Sequence, residues 1–274
     1  MRYSWKDGWL CLAAALQLAA TIAWAGRFDR LGWAANAGAL AAMLLVFYFN
    51  PIVVTHNFLH CPFFRWEWLN RLFAVANSVN LGLPQILYKY HHLTHHKYNN
   101  DPVRDGTTKD PSSTFRYGKR GRQEHFVPYC ALGLFRDGTT SAFLEVKRKR
   151  ELPQFFAELA ASAAALVFWA TFGWRWLVFG YLPLFYFGWF LAHLENYYEH
   201  FNATDAGARF ANSVSYYGPL YNVFMFNEGY HQEHHVNPQT HWTGRPAIRE
   251  RYRAELRGAR AHAAKVPPLL GFLD

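Results

Sequence analysis

Residues 88 to 101 read YKYHHLTHHKYNND, and residues 229 to 235 read GYHQEHH. The pattern HxxHH therefore occurs twice, as His92, His95 and His96 and as His231, His234 and His235. A third element, THNFLH, sets His56 four residues before His60, and a fourth, NYYEH, sets Asn196 four residues before His200. Imidazole is a common metal ligand, so these residues could hold ions. On a helix, positions i and i+4 lie one above the other on the same face, so His56 and His60, like Asn196 and His200, can point at one place. In HxxHH the i+3 and i+4 residues flank that face, separated by about 100° of helix rotation. One such box can feed two ions a few ångströms apart. The four elements supply nine His and one Asn, enough for two ions with open positions left for water or oxygen. Imidazole suits iron, zinc, copper and nickel alike, so ligand type does not pick the metal.

HxxxH alone is a weak signal, since His56 and His60 could be interfacial polar residues. Two copies of HxxHH are hard to explain as solvated surface. His91, His125, His193, His241 and His262 lie outside the boxes and read as neighbours or exposed residues. Other chemistries fit worse. HNFLH lacks the Glu of HExxH, and neither GxSxG nor GxxxxGK[ST] occurs. Soluble di-iron bundles use two Glu-x-x-His pairs, whereas here only Glu228 to His231 has that spacing. Cys11, Cys61 and Cys130 form no CxxC pair, which argues against a disulfide framework and a thiolate zinc site.

The elements that must position these ligands are apolar. The chain of 274 residues has 24 Phe, 16 Tyr and 11 Trp, and its charged fraction of 17% falls below that of an ordinary soluble domain. Its mean hydropathy is nevertheless −0.14, so apolar residues are segregated from a polar remainder. Four segments approach the ~20 apolar residues that a membrane span needs, at about 9–25, 33–54, 155–174 and 176–194. A fifth, Leu72 to Tyr88, is interrupted by Asn77, Asn80 and Pro84 and reads as interfacial or re-entrant.

Lys and Arg number 15 between Arg65 and Arg150 and 8 from Arg209 to Lys265, but only Arg27 and Arg30 join the first two spans and only Arg175 the last two. By the positive-inside rule, the segments at about 55–154 and 195–274 and both termini face the cytoplasm, as do all four ligand elements. Arg2 and Lys6 before an apolar run ending Ala23-Trp24-Ala25 also look like a signal peptide. Cleavage there would leave three spans and a relocated N-terminus, so four spans in two hairpins is the expectation. The formal charge of +9 follows membrane sidedness, and no nucleic-acid motif appears. The expected fold is an all-α polytopic membrane protein: one domain over 1–274, with four spans and a cytosolic helical cap holding a His-rich di-metal site.

The order HxxxH, HxxHH, NxxxH, HxxHH resembles the membrane fatty acid desaturase superfamily, which includes desaturases, hydroxylases and carotenoid ketolases. HLTHHKYNNDP and FNEGYHQEHHVNP are similar to its extended signatures, and NYYEHF resembles a segment of membrane alkane hydroxylases. The resemblance implies two non-haem irons, O2 as co-substrate, and the ligands His56, His60, His92, His95, His96, His200, His231, His234 and His235, with Asn196 reaching an iron directly or through water. No haem-binding HPGG motif of a cytochrome b5 domain occurs. An external electron donor of ferredoxin or cytochrome b5 type is therefore expected. HNFLH departs from the family's usual acidic or Gly-containing first box, which leaves substrate and outcome open.

The function implied is introduction of a double bond into a fatty acyl chain drawn from the bilayer, in a cytoplasmic membrane if the source is bacterial. Hydroxylation or ketolation of an acyl chain, alkane or carotenoid is the alternative. A zinc receptor or metal transporter ranks last, because transport predicts ionisable residues at mid-membrane depth. Phe185, Tyr186, Phe187, Trp189 and Phe190 are candidates to line a substrate path. Lys147 to Arg150, and Arg245, Arg249, Arg253, Arg257 and Arg260, are candidates to attract anionic headgroups.

Overall fold

A computed structural model describes residues 1–104, 106–136, 138–203, 208–258 and 264–274, the side chains of 257 and 258 excepted. Among the described residues the regular elements are helices, with one isolated bridge between Arg104 and Thr107. They are α1 (Asp7–Ala25), α2 (Trp33–Phe49), a π-helical turn (Asn50–Thr55), α3 (His56–His60), α4 (Glu67–Leu81), α5 (Gln85–Tyr98), α6 (Phe126–Arg136), α7 (Thr139–Arg148) and α8 (Leu152–Ala170). There follow α9 (Trp174–Trp176), a second π-helical turn (Leu177–Tyr181), α10 (Leu182–His200), α11 (Pro219–Phe224), α12 (His231–Val236), α13 (Arg245–Arg251) and α14 (Arg253–Gly258).

Among the described residues, four continuous stretches are long and apolar enough to cross a membrane: Asp7–Ala25, Trp33–His60, Leu152–Ala170 and Trp174–His200. The all-α, four-span architecture is thus the one observed, and the protein is an integral membrane protein. Four boundaries differ from the expectation by more than two residues. The second helical stretch runs past 54 to His60 because Pro51, which would break an α-turn, is absorbed in the wider π-helical turn. The third starts at Leu152, with Pro153 in its first turn, and ends at Ala170, before Gly173 at φ +103°. The fourth extends to His200, because Glu195, Asn196 and Glu199 lower the hydropathy without breaking the helix.

The chain forms two compact units, Met1–Tyr90 with Thr139–Trp189, and His91–Gly138 with Phe190–Asp274. In the first unit, a cluster of buried amides holds the turn that precedes His56. Asn50 Nδ2 donates to Gln17 Oε1 (2.6 Å) and Asn77 Oδ1 (2.8 Å), and Thr55 Oγ1 donates to Asn50 Oδ1 (2.8 Å). Asn77 Nδ2 in turn reaches Thr55 Oγ1 and Gln85 Oε1, each at 2.8 Å. The polar residues that interrupt the fifth apolar segment are therefore an interior hub joining α1, the π-helical turn, α4 and the start of α5.

That segment folds as two helices. Gly82, at φ +70°, turns the chain between α4 and α5, and a Cβ there would lie 2.7 Å from the Phe185 ring. The start of α5 is capped from elsewhere: Gln85 N donates to Ser78 Oγ (2.9 Å) and Ile86 N to Glu158 Oε2 of α8 (2.6 Å). A carboxylate at a helix N-terminus satisfies an orphan N–H and complements the helix dipole.

The second unit packs α6 and the end of α10 around Tyr129, Cys130, Leu194 and Tyr197. Gly133 permits the approach, since a Cβ there would sit 2.3 Å from the His193 ring. Arg245 departs from the expected surface set. It is buried and pairs with buried Glu228 at 2.9 Å, so neither headgroup attraction for Arg245 nor a ligand role for Glu228 follows. Arg249 lies over the Tyr217 ring at 3.5 Å, and Arg253 pairs with Glu250. The Arg257 side chain, and Arg260 with His262, fall outside the described residues.

Candidate metal centre

His56 and His60 lie in the first unit, one turn apart on α3, both buried, with ring centroids 5.1 Å apart. The other seven candidate histidines lie in the second unit, and the structure brings them together in two groups. His92 Nε2 is 2.9 Å from His96 Nε2, which is 3.0 Å from His234 Nε2. His95 Nε2 is 2.9 Å from His200 Nε2, which is 3.2 Å from His231 Nε2. Each of the sets His92, His96, His234 and His95, His200, His235 offers ligand nitrogens that lie within 4.8 Å of one another.

The partition follows helix geometry. His92 and His96, at i and i+4 on α5, share the first group, while His95 turns to the second. On α12, His231 and His235 share the second group, while His234 turns to the first. Each HxxHH box thus contributes side chains to both groups, in the directions that its spacing gives on a helix.

The second group bears directly on whether a cation fits. His95 Nδ1 lies 2.8 Å from Asp110 Oδ2, His200 Nδ1 lies 3.1 Å from the Asn212 carbonyl, and His231 Nδ1 lies 3.1 Å from Glu199 Oε1. His235 Nδ1 contacts Asn99 Oδ1. A neutral imidazole has one N–H, and in His95, His200 and His235 an acceptor claims it at Nδ1. The Nε2 atoms of these three are then bare lone pairs facing one another, and His235 Nε2 is buried with no hydrogen-bond partner. Lone pairs so close repel unless a cation lies among them, so the donor set fits a metal ion, with partners at Nδ1 that orient the ligands.

Electrostatics favour ligand-competent forms. Burial, followed by the neighbouring His231, His200, His95 and His92, holds His235 well below the ordinary histidine pKa, which keeps it neutral. Burial alone would raise the Asp110 carboxyl, but His95 and hydrogen bonds from its surroundings hold it below the ordinary value, which keeps it an anion.

The short helix α12 is held in place by its surroundings rather than by its own six residues. Gln232 N donates to Ser215 Oγ (2.9 Å), Ser213 N donates to Gln232 Oε1 (3.0 Å), and Glu233 accepts from Ser215 Oγ (2.8 Å) and Tyr217 Oη (2.7 Å). At the other box, Asn99 and Asn100 adopt φ of 42° and 59° and turn the chain beyond α5. Asn100 N then donates to Asp110 Oδ2 (2.6 Å).

Asn196 donates from Nδ2 to Tyr129 Oη (2.7 Å), which donates to the Ser112 carbonyl (2.7 Å). Of the histidines outside the boxes, His193 packs on Gly133, His125 Nδ1 accepts from Val127 N (3.2 Å) and His241 caps Thr243. Sequence reasoning missed Asp110, Asn99, Glu199 and the Asn212 carbonyl. The pair Asn99-Asn100 after the box was a turn signal, and Glu199 adjoins His200. Asp110 stood in a Gly- and Pro-containing loop with no periodicity to mark it.

The curated relatives of this chain include two proteins named sphingolipid delta(4)-desaturase DES1-like. The one from Oryza sativa subsp. japonica is 27% identical over 208 residues, covering 73% of this chain and 59% of its own. The one from Arabidopsis thaliana is 25% identical over 224 residues, covering 74% and 61%. A sphingolipid delta(4)-desaturase of Candida albicans is 27% identical over 270 residues, covering 88% and 66%. The chain thus spans 59 to 66% of the length of these relatives. No solved structure matches it. The family model described as Fatty acid desaturase matches residues 31–266, across both HxxHH boxes, the NxxxH element and the spans from α2 onward, and the chain belongs to that family.

Proposed function

We propose that the protein is an O2-dependent non-haem di-iron oxidoreductase that introduces a double bond into the acyl chain of a membrane lipid. The observation that carries this reading is the convergence of imidazole Nε2 atoms in two neighbouring groups within a chain of the fatty acid desaturase family. The proposed ligands are His92, His96 and His234 for one iron and His95, His200, His231 and His235 for the other. His56, His60 and Asn196 complete the set, and 1–274 acts as one catalytic domain with its site on the cytoplasmic side.

When bound, the irons supply reduction of O2 and removal of hydrogen from an unactivated chain, chemistry that amino-acid side chains do not provide. The overall change takes two hydrogens from adjacent carbons and, with two electrons and two protons from outside, turns O2 into two waters. A ferredoxin or cytochrome b5-type partner delivers the electrons. The protein's part is to hold ligands and chain. Asp110, the Asn212 carbonyl and Asn99 take the Nδ1 side of His95, His200 and His235 and leave each Nε2 for metal, and Glu199 lies beside His231. The printed names of the curated relatives point to a sphingolipid as substrate class.

The test is metal analysis of the purified protein together with mass spectrometry of lipids from a redox-competent expressing host. Two irons per chain with loss of two hydrogens from an acyl chain supports desaturation. Gain of one oxygen atom would replace it with hydroxylation, and stoichiometric zinc without lipid change would refute both. His95→Ala abolishes the reaction in this reading and His125→Ala does not.

A further inference from the structure

Helix α11 presents an apolar face that the second unit leaves open. Leu220, Val223 and Phe224 are 74%, 73% and 71% exposed and fall at i, i+3 and i+4, on one side of the helix. Residues 216–226, YYGPLYNVFMF, contain no charged side chain. These exposures match that of Val167 on the membrane-crossing α8, at 69%. In water, such a cluster would be a site of aggregation or association.

The opposite side of α11 is fastened. The Tyr221 hydroxyl donates to Glu195 Oε1, and Asn222 Nδ2 donates to the carbonyls of Tyr216 and Gly218, each at 3.0 Å. Glu195 sets the depth. The fourth span begins at Trp174, an exposed Trp of the kind that favours the membrane interface. About 20 residues at ~1.5 Å rise cross the hydrocarbon. Counted from Trp174, the far boundary falls next to Glu195. Tyr221, itself an interface-favouring residue, is bonded at that level.

We propose that α11 lies in the plane of the membrane at the Glu195 end of the span, with Leu220, Val223 and Phe224 buried in the boundary between acyl chains and headgroups. The occupant of this face is the phospholipid leaflet. Its uncharged composition, its lipid-like exposure and its attachment where a membrane-crossing helix reaches the interface all favour lipid over a protein partner. The proposal does not depend on the metal or the reaction.

The full chain carrying Cys11→Ala and Val223→Cys, labelled with NBD and placed in phosphatidylcholine nanodiscs, tests this. Cys61 and Cys130 are buried and stay unlabelled in the folded protein. The expected result is blue-shifted emission, quenched several-fold by lipids bearing a doxyl group high on the acyl chain and scarcely by aqueous iodide. The exposed control Lys119→Cys shows the opposite pattern, and a label at Phe224→Cys repeats that of Val223→Cys. Iodide quenching without doxyl quenching overturns the proposal in favour of a water-facing helix. Emission shielded from both quenchers overturns it in favour of a second copy or a protein partner.

Discussion

Asp110 Oδ2 lies 2.8 Å from His95 Nδ1, and both side chains are buried. The same oxygen accepts from Asn100 N at 2.6 Å, and the other carboxylate oxygen accepts from Ser112 N at 2.8 Å. One carboxylate thus fixes the tautomer of a candidate ligand and closes the loop that follows its helix. His95 can then offer only Nε2 to the centre.

Asp110→Asn is expected to weaken metal binding by about 10–100-fold, the usual cost of losing a partner behind a ligating histidine. Titration of purified apoprotein with iron or zinc, read by metal content after desalting, measures it. Unchanged affinity would show that Asp110 only closes the loop.

Asn77 is buried and links Asn50, Thr55 and Gln85. Asn77→Leu leaves several of these groups unpaired in an apolar interior, at about 1–3 kcal/mol for each. The expected outcome is a clear drop in the thermal midpoint of the detergent-solubilised protein. An unshifted midpoint would mean that the remaining amides re-pair among themselves.

Glu228 and Arg245 form an ion pair in which each side chain is 1% exposed. Glu228→Leu alone strands a buried guanidinium, with a loss of about 3–5 kcal/mol, whereas Glu228→Leu with Arg245→Met is expected to recover most of it. Denaturant titration of the single and double variants gives the comparison. Equal losses would place the pair's value in geometry rather than in charge compensation.

The Cys130 thiol is pushed up to about 12 by burial and, secondarily, by Glu124. At pH 8 it carries roughly a thousandth of the thiolate of a thiol near 9. Iodoacetamide at that pH should leave Cys130 unmodified in the folded protein and label it after denaturation, read by peptide mass spectrometry. Rapid native labelling would show that α6 opens from α10.

Much of the site was legible because imidazoles spaced by three and four residues on a helix point in directions that backbone geometry dictates. His92 and His96 share one group and His95 the other for the same reason that the pattern HxxHH was informative. The spans were legible because hydropathy over about 20 residues reflects a solvent, the bilayer, that acts on every side chain alike. Boundaries were less so, because Pro51 and Gly173 act through backbone conformation and not through polarity.

Tertiary structure alone decided what stands behind the ligands. Asp110 is 15 residues from His95, and Asn212 is 12 from His200, so no local period connects them. It also decided that Asn77 is an interior hub and Arg245 a buried partner, and that Leu220, Val223 and Phe224 stay uncovered. Whether a polar side chain faces a partner, a lipid or water depends on which elements pack against it, and a contact between residues distant in the chain leaves no periodic trace in the sequence.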